Sequence, residues 1–266
     1  MNIRKKILTR CGALLTAVLV LAPTALAAEA EIPYIPQTVP AAQLAPADQR
    51  GQEDWQLLLV NPWHTVPEGY EIKLATLSNG LQVDERIYDD LDDMLSDCRE
   101  ADLNPIVCSA YRTEATQTRL YRNKVARVRA SGVPEDRVEA EAARWVAKPG
   151  TSEHQTGLAL DIVAAGYQIL DEEQEDTAEQ KWLMENSWKY GFILRYPSEK
   201  SDITGIGYEP WHYRYVGKAA AADIYRTGVC LEEYLGRAVL PAAELTPAQN
   251  AEAPEGAASS ESPLNA

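Results

Sequence analysis

Two short blocks hold the residues best suited to chemistry. Ser152-Glu153-His154-Gln155-Thr156-Gly157-Leu158-Ala159-Leu160-Asp161 supplies an imidazole and an aspartate, and Glu209-Pro210-Trp211-His212, further along, supplies a second imidazole and a glutamate. His154, Asp161 and His212 form the three-ligand set that a catalytic zinc takes, with the fourth tetrahedral position left to water. Such a metal lowers the pKa of its water from about 16 toward roughly 7, and a carboxylate outside the ligand set can then accept the proton as the water attacks a carbonyl. Glu209 is the candidate base. The chain has three histidines, His64, His154 and His212, and two of them fall in these blocks, so histidine is not surface filler here.

Local structure must bring these groups together. Leu158, Leu160 and Ile162 alternate with Ala159, Asp161 and Val163, so a strand here sends Asp161 to the face opposite the leucines. A carboxylate on an apolar strand is costly unless it is paired or metal-bound; an arginine partner remains an open alternative to metal. In the second block, positions i and i+3 of a straight strand point to opposite faces. Glu209 and His212 therefore converge only if the backbone bends, which Pro210 favours. The ordinary reading of Glu209 is an exposed carboxylate at a strand entrance.

These blocks, with Cys108-Ser109-Ala110-Tyr111-Arg112-Thr113 upstream and Tyr213-Arg214-Tyr215-Val216 after His212, resemble the VanY-type D-alanyl-D-alanine carboxypeptidases, zinc peptidases in a wider group that includes lysostaphin and the hedgehog domain. The resemblance runs from about Trp55 to Gly236. It implies a zinc ion held by His154, Asp161 and His212, Glu209 as catalytic base, Arg112 in contact with the substrate, and Ser152 helping to hold it. It also implies peptidoglycan stem peptides as the partner, with terminal D-alanine released. A guanidinium suits that task, because it can grip a carboxylate through two parallel hydrogen bonds; a loosely paired surface arginine is the plain alternative. Tyr111 and Gln117 are candidates for the same wall of the substrate site. Rival readings are an L,D-carboxypeptidase or cross-link endopeptidase of the same fold, and a non-catalytic, zinc-stabilised wall-binding module.

The amino terminus points outward. Arg4, Lys5, Lys6 and Arg10 precede an apolar run ending at Pro23, and Ala25-Leu26-Ala27 suits signal-peptidase cleavage, so residues 1–27 read as a signal peptide and the protein as secreted to the cell envelope. The run is short of the ~20 residues a spanning helix needs, so no membrane span is expected after cleavage. Loss of those four cations takes the formal charge from −15 to −19. Such acidity argues against a nucleic-acid partner, and a monomer is expected. Cys98, Cys108 and Cys230 remain, an odd number for an oxidising compartment; a Cys98–Cys108 disulfide and free thiols are both open.

Residues 28–54, rich in Ala, Pro and Gln, read as a linker, 55–240 as the zinc carboxypeptidase domain and 241–266 as a disordered tail. Within the domain the periodicity predicts helices over 87–100, 113–130, 135–147, 177–190 and 219–226, and strands over 106–109, 158–163, 192–196 and 211–216. That succession predicts an α+β fold, a single domain with a small antiparallel sheet flanked by helices; the resemblance makes it hedgehog- and DD-peptidase-like.

Overall fold

The computed structural model describes residues 55–237; the expected signal peptide, linker and tail lie outside them. Six strands form two antiparallel sheets. β1 (Leu74–Thr76) and β2 (Gln82–Asp84) make a hairpin, while β3 (Pro105–Ser109), β4 (Ala159–Ala164), β5 (Phe192–Leu194) and β6 (His212–Tyr215) form a four-stranded sheet in the order β3-β4-β6-β5. The helices are α1 (Tyr88–Glu100), α2 (Glu114–Ala130), α3 (Glu135–Ala143), α4 (Ala178–Asn186), α5 (Ser201–Thr204), α6 (Lys218–Thr227) and α7 (Leu231–Tyr234). The expected α+β class and antiparallel sheet are present.

β4 is the axis of the fold, and all six of its residues are buried. Leu160 and Ile162, with Leu158 just before the strand, join Leu91 and Met94 of α1 and Leu183 of α4 in the main apolar cluster. The other face carries Asp161. Burial on both faces at the centre of a four-stranded sheet fixes the register, since a one-residue slip would drive the aspartate into the apolar cluster.

Helix ends follow their capping chemistry. Thr113 accepts from the Thr116 amide at the start of α2, Thr177 accepts from the Gln180 amide at the start of α4, and Gly228 closes α6 in the left-handed region. Two expected helices are shorter than their periodicity predicts. α3 stops at Ala143, from where Trp145 and Val146 pass into the cleft wall, and the 177–190 segment changes at Ser187 to a 3-10 turn that Gly191 ends. The strand expected over 192–196 is shorter, Phe192–Leu194, although the Arg195 amide still donates to the His212 carbonyl at 3.1 Å and its side chain is a buried charge.

Cys98, Cys108 and Cys230 are free thiols. Between Val107 and Ser109 the β3–β4 register shifts, leaving Cys108 as an extra residue on the exposed side of the strand while Cys98 is buried on α1. Burial pushes the Cys98 thiol up to about 11, so it packs as an inert apolar group.

Candidate metal centre and catalytic cleft

Asp161 and His212 are direct cross-strand partners on β4 and β6. His154 reaches them from a 3-10 turn, Glu153–Thr156, that Gly157 ends with φ +71°. A Cβ at Gly157 would lie 2.4 Å from Ile72 Cδ1 and 2.9 Å from the Asp84 amide nitrogen, so only glycine lets the turn sit this close to β2.

Asp161 Oδ1 lies 3.3 Å from His154 Nε2 and 3.1 Å from His212 Nδ1, and the three ligand atoms fall within 4.8 Å of one another. Metal–ligand bonds of about 2.0–2.1 Å give tetrahedral edges of about 3.3 Å, so the two Asp161 edges already have the length that zinc requires. The partners of the other ring nitrogens agree. His154 Nδ1 is 2.8 Å from the Ala110 carbonyl oxygen, which accepts its N–H and leaves Nε2 with a lone pair toward the centre. His212 Nε2 faces Glu153 Oε2 at 3.5 Å, leaving Nδ1 toward the same point. These two facing atoms are buried and lack a hydrogen-bond partner, and a small closure would join them.

Glu153 belongs to a charged network with no solvent exposure. Its Oε1 accepts from Arg195 Nε and Arg214 Nη1, each at 2.8 Å, and Arg195 also donates to both Glu232 oxygens at 2.9 and 2.6 Å. Asn61 donates to Glu232, and Arg214 to the Gln56 and Leu58 carbonyls. Two guanidinium groups balance two carboxylates, which makes their burial tolerable. Sequence reasoning passed over Glu153, Arg195 and Glu232, and quoted Arg214 without assigning it a role. The one signal for Glu153 was its place beside His154.

Arg112 holds the centre from the other side. Its Nη2 donates to Asp161 Oδ2 at 2.6 Å and its Nε to Ser109 Oγ at 2.8 Å, which leaves Nη1 without a hydrogen-bond partner among the described residues. The guanidinium expected to grip a carboxylate through two bonds is thus committed in part to Asp161. Both open alternatives for Asp161 therefore hold together: it has an arginine partner and it faces the two imidazoles.

The Glu209–His212 segment bends as required. The His212 amide donates to the Glu209 carbonyl at 3.1 Å, closing a tight turn that brings Glu209 Oε2 to 3.7 Å from His212 Nδ1. Burial pushes the Glu209 carboxyl up to about 8, His212 opposes that shift and Asp161 adds to it. For His212, burial disfavours the charged ring, but the adjacent Asp161 and Glu153 carboxylates outweigh it and carry the ring up to about 9. His154 is driven down to about 4 by burial and the Arg112 charge. The carboxylates around His212 therefore favour positive charge where a cation would sit, and such a cation favours the ionised Glu209 that a base requires.

A cleft of about 760 Å³ opens over this centre. Arg112, Gln117, Ser152, His154, Asp161, Glu209 and His212 all line it. Gln117 is buried, donates to the Ala147 carbonyl at 2.7 Å, and keeps its Oε1 unpartnered. Tyr111 is half-buried, donates its amide to the Gln82 carbonyl and is absent from the lining. His64 hydrogen-bonds Asn61 and is also absent from it.

The family model for VanY, D-alanyl-D-alanine carboxypeptidase, matches residues 80–218. The chain belongs to the VanY family. Within it, a D-alanyl-D-alanine carboxypeptidase of Enterococcus faecalis is 48% identical over 193 residues, which is 72% of this chain and 70% of the relative. Two solved VanY-family structures are 47% identical. One, a glutamate-to-alanine mutant of a vancomycin-resistance D,D-pentapeptidase VanY in complex with Zn(II), superposes with TM-score 0.63 over 68% of this chain and 99% of that one. The other, VanYB in complex with D-alanine-D-alanine, gives 0.64 over 69% and 98%. The hedgehog-like zinc-peptidase fold of this group is therefore the fold of this VanY-family chain.

Proposed function

We propose that this chain is a secreted zinc carboxypeptidase that removes the terminal D-alanine from peptidoglycan stem peptides. The observation that carries this reading is the convergence of His154, Asp161 and His212 beside a buried glutamate, Glu209, that is not needed as a ligand. A purely structural metal site has no use for that extra carboxylate. A zinc ion in this ligand set supplies Lewis acidity, polarising a peptide carbonyl and acidifying water.

The protein's own groups do the rest. Glu209 takes a proton from the attacking water and delivers it to the departing D-alanine amine. Arg112 Nη1 donates to the oxygen on which charge develops, while Nε and Nη2 keep the guanidinium fixed on Ser109 and Asp161. Ser152 and Gln117 Oε1 offer hydrogen-bonding groups in the cleft to the rest of the terminal dipeptide. Glu153 orients His212, and the Arg195 and Arg214 charges hold Glu153 ionised, well below the usual carboxylate range, so that it can accept from the imidazole.

Export is supported by the basic residues, apolar run and Ala25-Leu26-Ala27 site of the first 27 residues; among the described residues no helix is long and apolar enough to cross a membrane. The substrate assignment is tested by mass spectrometry of digests of defined muropeptides. Loss of one D-alanine from a pentapeptide stem, with a tetrapeptide stem left intact, is the expected result. Shortening of the tetrapeptide instead would assign the L,D bond.

A further inference from the structure

The wall of the cleft formed by α2 continues beyond the reacting centre as a cationic row. Gln117, Leu120, Lys124 and Arg127 recur at three- and four-residue steps, the spacing of one helical face, and all four line the cleft. Lys124 is half-buried, with Nζ 5.4 Å from the centre of the Trp145 ring. Neither Lys124 nor Arg127 makes a side-chain hydrogen bond or ion pair among the described residues, in a chain of net charge −15. The nearby Glu141 accepts instead from Trp145 Nε1 at 3.2 Å. Burial and the Arg127 charge lower the Lys124 pKa, while the Glu141 and Glu209 carboxylates, neither of them in hydrogen-bond or ion-pair contact with it, act in the opposite sense. Lys124 and Trp145 also border a second hollow of about 500 Å³ lined by Arg137, Arg144 and Glu141. The acidic lining residues Asp171, Glu172 and Glu173 lie on a different segment, where Asp171 and Glu173 accept from the Tyr167 hydroxyl.

Resting on the carboxypeptidase reading, we propose that Lys124 and Arg127 form an extended subsite for a free carboxylate carried three to four residues before the substrate's C-terminus. The spacing sets that position. At 1.5 Å per residue, Lys124 and Arg127 stand about 10 and about 15 Å along α2 from Gln117, which an extended peptide spans in three to four residues. In a stem peptide ending in two D-alanines, this is the α-carboxylate left free where a glutamate is linked through its side chain. Amidation of that group removes the charge, so the subsite would separate acid from amide stems.

Two pentapeptides that differ only in this acid or carboxamide test the proposal. They are compared by kcat/KM with the zinc-loaded full-length chain, and by calorimetric Kd on its Glu209→Gln variant, where binding is read without turnover. The wild-type surface is expected to favour the acid about fivefold to tenfold, in line with two partly exposed ion pairs. Lys124→Met with Arg127→Gln should bring the two peptides within about twofold, and Lys124→Arg with Arg127→Lys should restore the preference. Equal handling of acid and amide by the wild-type surface, or a preference that survives in the Met/Gln variant, overturns the subsite. If neither peptide is cleaved, the carboxypeptidase reading falls, and the Kd ratio still decides the subsite; no binding of either peptide counts against it.

Discussion

Asp161 Oδ1 lies 3.1 Å from His212 Nδ1 across the β4–β6 pair, while Asp161 Oδ2 accepts from Arg112 Nη2 at 2.6 Å. One aspartate thus divides its two oxygens between the His154–His212 pair and the Arg112 guanidinium.

Arg112→Lys is expected to lower kcat about 100-fold with little change in bound zinc. An ammonium cannot reproduce the fork that spans Ser109 and Asp161, and loss of one donor aimed at developing charge typically costs 10²–10³ in kcat. Steady-state kinetics beside metal analysis check this; a change confined to KM would instead assign Arg112 to ground-state binding.

Glu153→Gln removes the charge that joins Arg195, Arg214 and His212. Breaking a buried ion network by deleting one partner costs about 3–5 kcal/mol. Loss of a group that orients a metal-binding histidine costs about 10–100-fold in metal affinity. A lower melting temperature together with weaker zinc binding in a competition titration is the expected pair of results. An unchanged zinc affinity would show that Glu153 serves only the core.

Glu232 gives the fold an acid limit. Burial alone would raise its carboxyl, but the Arg195 charge and hydrogen bonds from Arg195 and Asn61 outweigh it and hold the folded-state pKa below the ordinary 4.5. A group depressed in this way contributes stability that is present above its unfolded pKa and lost as pH falls through the folded one. Melting temperature should therefore decline below about pH 4.5. In Glu232→Gln the starting value should be lower and the decline shallower, which a series of melts from pH 7 to pH 3 would show.

The convergence of His154, Asp161 and His212 beside Glu209 was legible because zinc chemistry restricts which side chains can serve, and Pro210 announced the bend between Glu209 and His212. Glu153, Arg195 and Glu232 were not, because a buried charged residue looks like a surface one until its partners, here about forty residues apart in sequence, are known to meet. The long helices and the core strand followed from periodicity. The β1–β2 hairpin went unread because its strands have three residues each, too few to alternate visibly, although Asn79-Gly80 in the connecting turn is a strong hairpin signal. Helix ends at Ala143 and Asn186 depend on tertiary contacts, which local pattern does not carry.

Glu209→Gln tests the central claim most directly, with zinc content and D-alanine release from a pentapeptide measured on the same preparation. Zinc should remain at the wild-type level, since His154, Asp161 and His212 are untouched, while release falls at least about 100-fold through loss of the proton acceptor. Release undiminished in the zinc-loaded variant, or zinc lost along with the carboxylate, would contradict the assignment of Glu209 as a base standing outside the ligand set.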